Sequence, residues 1–433
     1  MKLFKHINIA VNATKFFFSV SYYYLKFKLN LTTYNNAVIS ACDSFVRKNY
    51  LFSKVIQWGV QEIHSSTNIK DNDELKSYFS AFSNSVPYTQ HELQSALIHL
   101  ENLAEYAKSC NDELVVENDD VPTNSGTVAL VFKARLNSAP VIIKVLRHNI
   151  KNRIQNDINA TLYFFTNIFI RTIIRYYIKL NFNTFIQDNS ELLLKQCDFI
   201  SEVNNALLFK DNSKNKKNII IPYVYKHFTE ANHDVIVMEY LNGPIAKNIS
   251  VEEMEKYSEI LQTFFFESLF QYNMLHGDFH LGNIIAVNDT TIGIIDFGIV
   301  FHLTRKLSNL LFDMVFLAIS FNVDNPSNNY SKFCKLIKNS IRYTCSEKSQ
   351  HEFLYNILKN DKELLYIVDK NFSSNVLIII INKIMCIQDV KLKPQICQLF
   401  LSAMSSLQTT EYANNNMSLE SLMNSFINRS IKI

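Results

Sequence analysis

The most informative part of the chain reads Leu275-His276-Gly277-Asp278-Phe279-His280-Leu281-Gly282-Asn283 and is followed by Ile294-Ile295-Asp296-Phe297-Gly298. An Asp, an Asn and a second Asp stand here in the order and spacing that ATP-binding kinase folds use. Asp278 can accept a proton from an attacking hydroxyl or water, or orient it, while Asn283 and Asp296 can hold Mg²⁺ on the phosphates of ATP. The motif therefore predicts Asp278 as the catalytic residue and the other two residues as metal ligands.

The residues between the two halves of this motif predict a β-hairpin. Residues 284–287 read as a strand, Asn288-Asp289 as a turn and residues 291–295 as a returning strand. Such a hairpin would bring Asp296 back beside Asn283. Two oxygen ligands would then converge on one hard cation, as Mg²⁺ requires.

Composition bounds the class of protein and its compartment. A chain of 433 residues with 48% hydrophobic and 19% charged residues is long enough for two lobes and describes a globular protein. The net charge of +3 does not indicate nucleic-acid binding. Seven cysteines, an odd number without a C-x-x-C pair, argue against a disulfide framework or a structural zinc site. We therefore expect an intracellular, reducing compartment.

The beginning of the chain has an unusual charge pattern, because the first acidic residue is Asp43 and several lysines and many aromatic residues precede it. The apolar run there is interrupted by Lys15 and Lys26 and is therefore too short to span a bilayer. A basic, aromatic segment of this kind fits an interfacial membrane helix or a mitochondrial presequence. A helix that docks on the rest of the protein is the open alternative. A membrane surface is accordingly one candidate partner.

The periodicity of the chain divides it into three regions. Residues 1–115 predict a helical N-terminal extension, residues 116–242 a small lobe with a mixed sheet and the nucleotide loop, and residues 243–433 a helical lobe with the catalytic loop. A break at residues 119–122 separates the first two regions. This order is typical of an α+β, two-lobed protein-kinase-like fold.

Within the small lobe we expect strands at residues 128–136 and 141–146, joined by a turn at 137–140. A further strand pair is expected from residues 219–221 and 235–239. From residue 251 onward the pattern is helical apart from the predicted hairpin, and the apolar run at 376–381 reads as a buried helix or strand.

Two features of the small lobe predict contacts with phosphate. The segment Ser125-Gly126-Thr127-Val128 lies between predicted strands, where backbone N–H groups could cradle the β-phosphate, although one glycine is a weak signal. Lys144 lies in an apolar strand and is costly there unless its ammonium group meets an anion. Phosphate oxygens and Glu202 are the candidates. The alternatives are a lysine that reaches water at the strand end and a glutamate on a solvated helical face.

Residues 235–243 look like a strand that runs into a hinge. The backbone of Met238, Glu239 and Tyr240 could hydrogen-bond adenine there, with the Met238 side chain packed beside the ring. A plain core strand followed by a turn explains this segment almost as well.

The chain resembles the UbiB-like atypical kinases, also called the aarF-domain family, from about residue 57 to residue 322. The segment after Gly298 enters an amphipathic helix almost at once, without the Ala-Pro-Glu element that follows in ordinary protein kinases. The most specific matches are His276-x-Asp278-x-His280-x-Gly282-Asn283 and Asp296-Phe297-Gly298. Weaker matches are residues 125–136, Lys144-Val145-Leu146-Arg147 with Ile150, and Asp198-Phe199 with Glu202 and Asn205.

This resemblance implies ATPase rather than general protein kinase activity, a role in coenzyme Q or other prenyl-lipid metabolism, and a lipid or lipid-modifying partner at a membrane. The family also carries a Lys-x-Gly-Gln helix that is thought to block access of protein substrates. The matching stretch here is Gln57-Trp58-Gly59-Val60, which keeps only the glycine, and Leu130 replaces a usual glutamine of the nucleotide loop. These departures leave the family's autoinhibitory behaviour open for this chain.

Three other functions compete with an atypical kinase or ATPase. A small-molecule phosphotransferase shares the His-Gly-Asp-x-His-x-Gly-Asn pattern, but the Asp-Phe-Gly triplet and the helix at 198–205 argue against it. A pseudokinase that acts as a binding module usually lacks one residue of the catalytic set, which is complete here. A transition-metal site at His276, Asp278 and His280 lacks a further recognisable ligand.

Overall fold

The computed structural model describes residues 21–37, 39–40, 88–117, 121–166, 190–320, 326–370, 376–387 and 390–393, with the single residues 19, 86, 396, 399 and 402. The chain forms two compact units. The first unit comprises residues 1–172, 189–214 and 221–242, and the second comprises residues 173–188, 215–220 and 243–433. The predicted Gln57-Trp58-Gly59-Val60 motif, and with it most of the predicted N-terminal extension, lies outside the described residues.

The described strands pair mainly in antiparallel fashion, and a run of helices follows them in the last part of the chain, which is the pattern of an α+β protein. The strands are β1 (Leu114–Val116), β2 (Asn124–Ser125), β3 (Ala129–Leu136), β4 (Ala139–Leu146), β5 (Ile219–Ile220), β6 (Val235–Glu239), β7 (Met274–His276), β8 (Ile284–Asn288), β9 (Thr291–Ile294) and β10 (Val300–His302). The helices are α1 (Gln90–Ser109), α2 (Ile150–Thr166), α3 (Phe199–Ser213), α4 (Lys226–Ala231), α5 (Val251–Met254), α6 (Ser258–Phe266), α7 (Arg305–Ile319), α8 (Pro326–Thr344), α9 (His351–Lys359), α10 (Lys362–Lys370) and α11 (Val376–Cys386).

The first unit is built on an antiparallel five-stranded sheet in the order β1-β3-β4-β6, with β2 paired to β3. The β3–β4 hairpin turns at Asn137 and Ser138, whose φ angles of 49° and 68° suit the twist of a tight hairpin. Alternate residues of β3 and β4, such as Phe132 and Ile143, are fully buried against the apolar face of α1. The two predicted strands and their connection are therefore confirmed, with a turn shorter than expected.

The expected pairing of residues 219–221 with 235–239 is wrong. β5 instead pairs in parallel with β9 of the second unit, and β6 pairs with β4. On its other side β6 is bridged by Val224 opposite Met238. Pro222 lies between β5 and Val224. Because proline has no N–H group, it interrupts the hydrogen bonding that would extend the β5 strand toward Val224. A parallel partner is also distant in sequence, so local periodicity cannot identify it.

The second unit contains a three-stranded sheet in the order β5-β9-β8, a two-stranded sheet of β7 and β10, and the helices α5 to α11. The hairpin predicted between the motif halves is confirmed as β8 and β9. The expectation of helices alone elsewhere is wrong, because β7 and β10 pair with His276 opposite Val300. Three-residue strands are too short to show an alternating pattern. The run at 376–381 lies in helix α11, where Val376, Ile380 and Ile384 are fully buried.

Among the described residues, none of the helices combines the length and the apolar character that a membrane crossing would need.

Candidate active site

Lys144 and Glu202 meet within the first unit. Lys144 lies on β4, and Glu202 lies in the first turn of α3, which begins after Asp198 because the Asp198 carboxylate accepts the Ser201 N–H at 3.1 Å. Lys144 Nζ donates to Glu202 Oε1 at 2.7 Å, and the side chains are 12% and 6% exposed. The structure thus brings the predicted partners together, and Glu202 does not lie on a solvated face.

The predicted phosphate loop is a tight turn between β2 and β3. The Gly126 N–H donates to the Ala129 carbonyl at 2.9 Å, so this amide already has an acceptor. We therefore expect the amide donors for a phosphate to come from Thr127 and Val128 rather than from Gly126. A Cβ added at Gly126 would find its nearest neighbour at 3.5 Å, so the glycine is not required by crowding.

In the hinge predicted at Met238, Glu239 and Tyr240, two backbone N–H groups already donate to carbonyl groups of the protein. The Glu239 N–H donates to the Tyr223 carbonyl at 2.8 Å, and the Tyr240 N–H donates to the Pro140 carbonyl at 3.2 Å. Met238 is buried in β6, opposite Ile142. Because these two N–H groups are engaged, the adenine contacts predicted for Glu239 and Tyr240 are restricted to their carbonyl oxygens and side chains.

In the second unit the loop that carries Asp278 follows β7, and a backbone hydrogen bond ties it to the segment after the Asp-Phe-Gly triplet. The Gly277 N–H donates to the Ile299 carbonyl at 2.7 Å. A Cβ at Gly277 would lie 2.3 Å from Ile299 Cγ2, so any larger residue there would displace the Ile299 side chain. The ring of Phe279 is buried and stacks on Phe264 of α6 with centroids 5.3 Å apart. Helix α6 therefore packs against the loop and supports it through this aromatic contact.

His276 serves as an internal support for the loop. Burial lowers the pKa of His276, although the carboxylates of Asp296 and Asp278 oppose this effect, so the ring is neutral at pH 7. The Asp278 N–H donates to His276 Nδ1 at 3.3 Å, which places the ring proton on Nε2. The ring also contacts Phe297, with centroids 5.1 Å apart. His276 therefore orients the backbone of Asp278.

Asn283 is buried and its amide orientation is set by the same loop. Asn283 Nδ2 donates to the backbone carbonyl of Asp278 at 2.9 Å and lies 3.4 Å from His280 Nε2. Oδ1 of Asn283 consequently faces the opposite direction. His280 Nδ1 accepts the Gly282 N–H at 3.0 Å, and its Nε2 lies 3.8 Å from Asp278 Oδ1. His276 and His280 thus stabilise the loop through hydrogen bonds to its own backbone and side chains.

Asp296 adopts a backbone conformation that is uncommon for a residue with a side chain. Its φ is 67°, in the left-handed region, and its Oδ1 accepts the Gly298 N–H at 3.3 Å. The Ile295 N–H donates to the Asn283 carbonyl at 3.0 Å, so the hairpin brings the backbones of the two predicted metal ligands to neighbouring positions. Strained backbone of this kind occurs at functional sites, where the surroundings hold it in place.

These donors fit a hard cation. Asn283 offers an amide oxygen and Asp296 a carboxylate, and Mg²⁺ is commonly held by one or two such protein oxygens together with substrate phosphates. Over the described part of the chain, no group of three or more His, Cys, Asp or Glu residues could hold a metal ion. The alternative of a transition-metal site at His276, Asp278 and His280 therefore finds no support.

Two groups of residues around the site were missed by sequence reasoning. Ser402 Oγ donates to the Gly277 carbonyl at 2.7 Å, a contact that no local pattern could reveal. Thr89 and Glu92 form a capping box at the start of α1, which the Thr-x-x-Glu spacing could have indicated. Glu92 is buried with Arg147, and no local pattern indicates this burial of the arginine.

Comparison with known proteins shows which part of the chain is similar to a known family and to individual relatives. Residues 83–328 match the family model of the ABC1 atypical kinase-like domain. A chloroplast protein of Arabidopsis thaliana named ACTIVITY OF BC1 COMPLEX KINASE 1 is 26% identical over 50% of this chain and 32% of its own length. A protein of Tolumonas auensis named "Probable protein kinase UbiB" is 30% identical over 40% of this chain and 33% of its own. The chain thus spans about a third of the length of these curated relatives.

A solved structure of a Mycobacterium tuberculosis protein in complex with erythromycin aligns with 71% of this chain and 76% of its own, with a TM-score of 0.44 and 15% identity. The family match and the described helices and strands confirm the predicted α+β, kinase-like fold.

Proposed function

Because this chain belongs to the family of ABC1 atypical kinase-like domains, we propose that it binds Mg²⁺–ATP and transfers or hydrolyses the terminal phosphate. The family match supports a kinase-like, phosphotransferase-type protein, and relatives in bacteria and in Dictyostelium discoideum carry the name of protein kinases. The use of ATP and Mg²⁺ by this chain is the proposal that goes further.

The observation that carries the proposal is the ion pair between Lys144 and Glu202. A lysine in the middle of a buried strand loses the favourable free energy of hydration of its ammonium group. The attraction to a carboxylate partner offsets only part of that loss. Kinase folds keep such a pair because the lysine, oriented by the glutamate, contacts the phosphates of ATP. The pair here is formed at 2.7 Å, which gives the lysine the partner that this role requires.

The remaining roles follow from the second unit. Asp278, whose backbone is held by His276, would orient or deprotonate the attacking water or hydroxyl. Asn283 and Asp296 would hold Mg²⁺, which when bound neutralises charge on the phosphates. The loop Gly126 to Val128 and the hinge Met238 to Tyr240 would contact the nucleotide itself.

The acceptor and the cellular setting are a separate part of the proposal. The resemblance to UbiB-like kinases supports a link to prenyl-lipid metabolism and a lipid or lipid-modifying partner, and the acid-free, basic start of the chain supports contact with a membrane surface. ATP turnover measured with and without vesicles that contain anionic lipid tests this part. An unchanged rate and no co-sedimentation with the vesicles would contradict it.

The first experiment is thermal unfolding of the full chain with and without Mg²⁺–ATP. Ligand at 100 times its dissociation constant stabilises a binding-competent protein by roughly 2.7 kcal/mol. We expect a clear rise of the midpoint for the wild type and no rise for Asp296→Asn, since asparagine tolerates the left-handed backbone but lacks the carboxylate.

Asp289→Asn is the matched control. Asp289 lies in the turn of the same hairpin, its side chain is 88% exposed, and its partner is Lys256 at 3.2 Å. This variant should keep the full shift with Mg²⁺–ATP. A wild type that shows no shift at millimolar nucleotide would contradict the proposal and favour a pseudokinase.

A further inference from the structure

Arg147 follows β4 and has a side chain that is 0% exposed. A buried guanidinium group must satisfy its donors with hydrogen-bond acceptors, because an unpaired buried charge is strongly unfavourable. The acceptors around Arg147 therefore show what this residue holds in place.

Most of these acceptors belong to the phosphate loop. Arg147 Nε donates to the Gly126 carbonyl at 2.9 Å, and Nη2 donates to Ser125 Oγ at 2.6 Å. The backbone N–H of Arg147 donates to the Val128 carbonyl at 2.9 Å. Arg147 Nη2 also donates to the Val86 carbonyl at 2.8 Å. Arg147 thus binds the loop at Ser125, Gly126 and Val128, on both sides of Thr127.

The guanidinium group is held from the other side by a buried carboxylate. Glu92 Oε1 lies 3.5 Å from Arg147 Nη1, and Glu92 Oε2 accepts the Thr89 N–H at 2.8 Å. Arg153 of α2 binds the same Glu92 oxygen at 2.5 Å. Arg147 is therefore anchored to helix α1 through Glu92 while its other donors reach the loop.

The consequence for the loop follows from peptide geometry. In a planar trans peptide the C=O of one residue and the N–H of the next point in opposite directions. Because the Gly126 carbonyl faces Arg147, the Thr127 N–H faces away from the guanidinium group. The loop thereby points the Gly126 carbonyl oxygen toward Arg147 and the Thr127 N–H away from it. An N–H group that points away from the protein's own acceptors can donate to an anion.

We propose that Arg147 is a positioning residue for phosphate recognition, whose guanidinium group holds the Gly126 carbonyl so that the Thr127 amide can donate to the β- or γ-phosphate of the nucleotide. The inference rests on the proposed function, since it concerns how the same nucleotide is bound. Among the loop amides that the sequence predicts as phosphate donors, that of Gly126 already donates to the Ala129 carbonyl, which leaves this role to Thr127.

The test compares Mg²⁺–ATP with AMP, which lacks the β- and γ-phosphates, by calorimetric titration of the full chain. The variants are Arg147→Met and Arg147→Lys. Lysine keeps the positive charge near Glu92 but cannot reproduce the planar fork of donors, so it also serves if the methionine variant does not fold. Arg153→Met is the matched control, because Arg153 binds the same carboxylate from α2.

We expect both Arg147 variants to bind Mg²⁺–ATP roughly 10- to 100-fold more weakly, the loss of a hydrogen bond to a charged group, with unchanged AMP affinity. Arg153→Met should bind both ligands as the wild type does. An Arg147→Lys protein that binds Mg²⁺–ATP with wild-type affinity, or that loses affinity for both ligands equally, would overturn the positioning role alone. A wild type that binds neither ligand would overturn the proposed function, and this inference with it.

Discussion

Removing the charge of Lys144 is the most direct test of the ion pair on which the proposed function depends. At 2.7 Å the attraction between Lys144 and Glu202 is about 6 kcal/mol with an effective dielectric constant of 20, and desolvation of the two groups offsets much of it. Removal of one partner of a buried pair typically costs about 3–5 kcal/mol, because the other charge stays buried. Since Lys144 keeps 12% of its side-chain exposure, we expect the lower end of this range for Lys144→Met.

A double-mutant cycle gives this expectation a sharp form. Urea unfolding would be followed by circular dichroism for the wild type, Lys144→Met, Glu202→Gln and the double variant. The double variant should recover about 2 kcal/mol relative to the sum of the single variants, because neither charge is then left alone. Lys214→Met is a control for an exposed pair, since the side chains of Lys214 and Asp211 are 65% and 72% exposed. A coupling energy between Lys144 and Glu202 no larger than that of an exposed pair would refute the reasoning.

Three further predictions concern catalysis, pH and backbone geometry. Asp278→Ala should lower ATP turnover by roughly 10²- to 10⁴-fold with nucleotide binding retained, and equal phosphate release by the variant would exclude Asp278 as the catalytic residue. Burial raises the pKa of Glu92, but the combined effect of the Thr89 N–H and the Arg153 and Arg147 guanidinium groups is larger and opposite, so the net pKa lies below the usual 4.5. Its stabilisation is therefore present above the unfolded-state pKa and lost as pH falls through the lower folded value, so Glu92→Gln should flatten the fall of the thermal midpoint below pH 4.5. Gly243→Ala should destabilise the fold by roughly 3 kcal/mol or more, because φ is 155° and the new Cβ would lie 2.2 Å from the Ala286 carbonyl, whereas Gly126→Ala should be tolerated; similar midpoints for both would contradict this.

Much of the site could be predicted from short segments whose chemistry is local. The hairpin between Asn283 and Asp296 follows from two apolar runs and an Asn-Asp turn, and the structure has it as β8 and β9. The cap at Asp198 likewise places Glu202 in the first turn of α3. The partner of Glu202 was also predictable, because a lysine within an apolar strand needs an anion.

Other features depended on contacts between segments that are far apart in the chain. The pairing of β5 with β9 was not foreseen, because an apolar run has no local mark of its partner. The commitment of the Glu239 and Tyr240 N–H groups to Tyr223 and Pro140 was hidden for the same reason. Without these contacts, the hinge would be assigned amide donors that it does not have to offer.

By itself, the sequence determined the order and spacing of the candidate residues Asp278, Asn283 and Asp296, because both are local properties of the chain. Only the tertiary structure decided how backbone groups near them are used. Arg147 is the clearest case, since it is buried and its five acceptors lie in segments that begin at Val86 and end at Val128. A donor or acceptor is available to a ligand only when folding has not already paired it, and that pairing is decided by long-range packing.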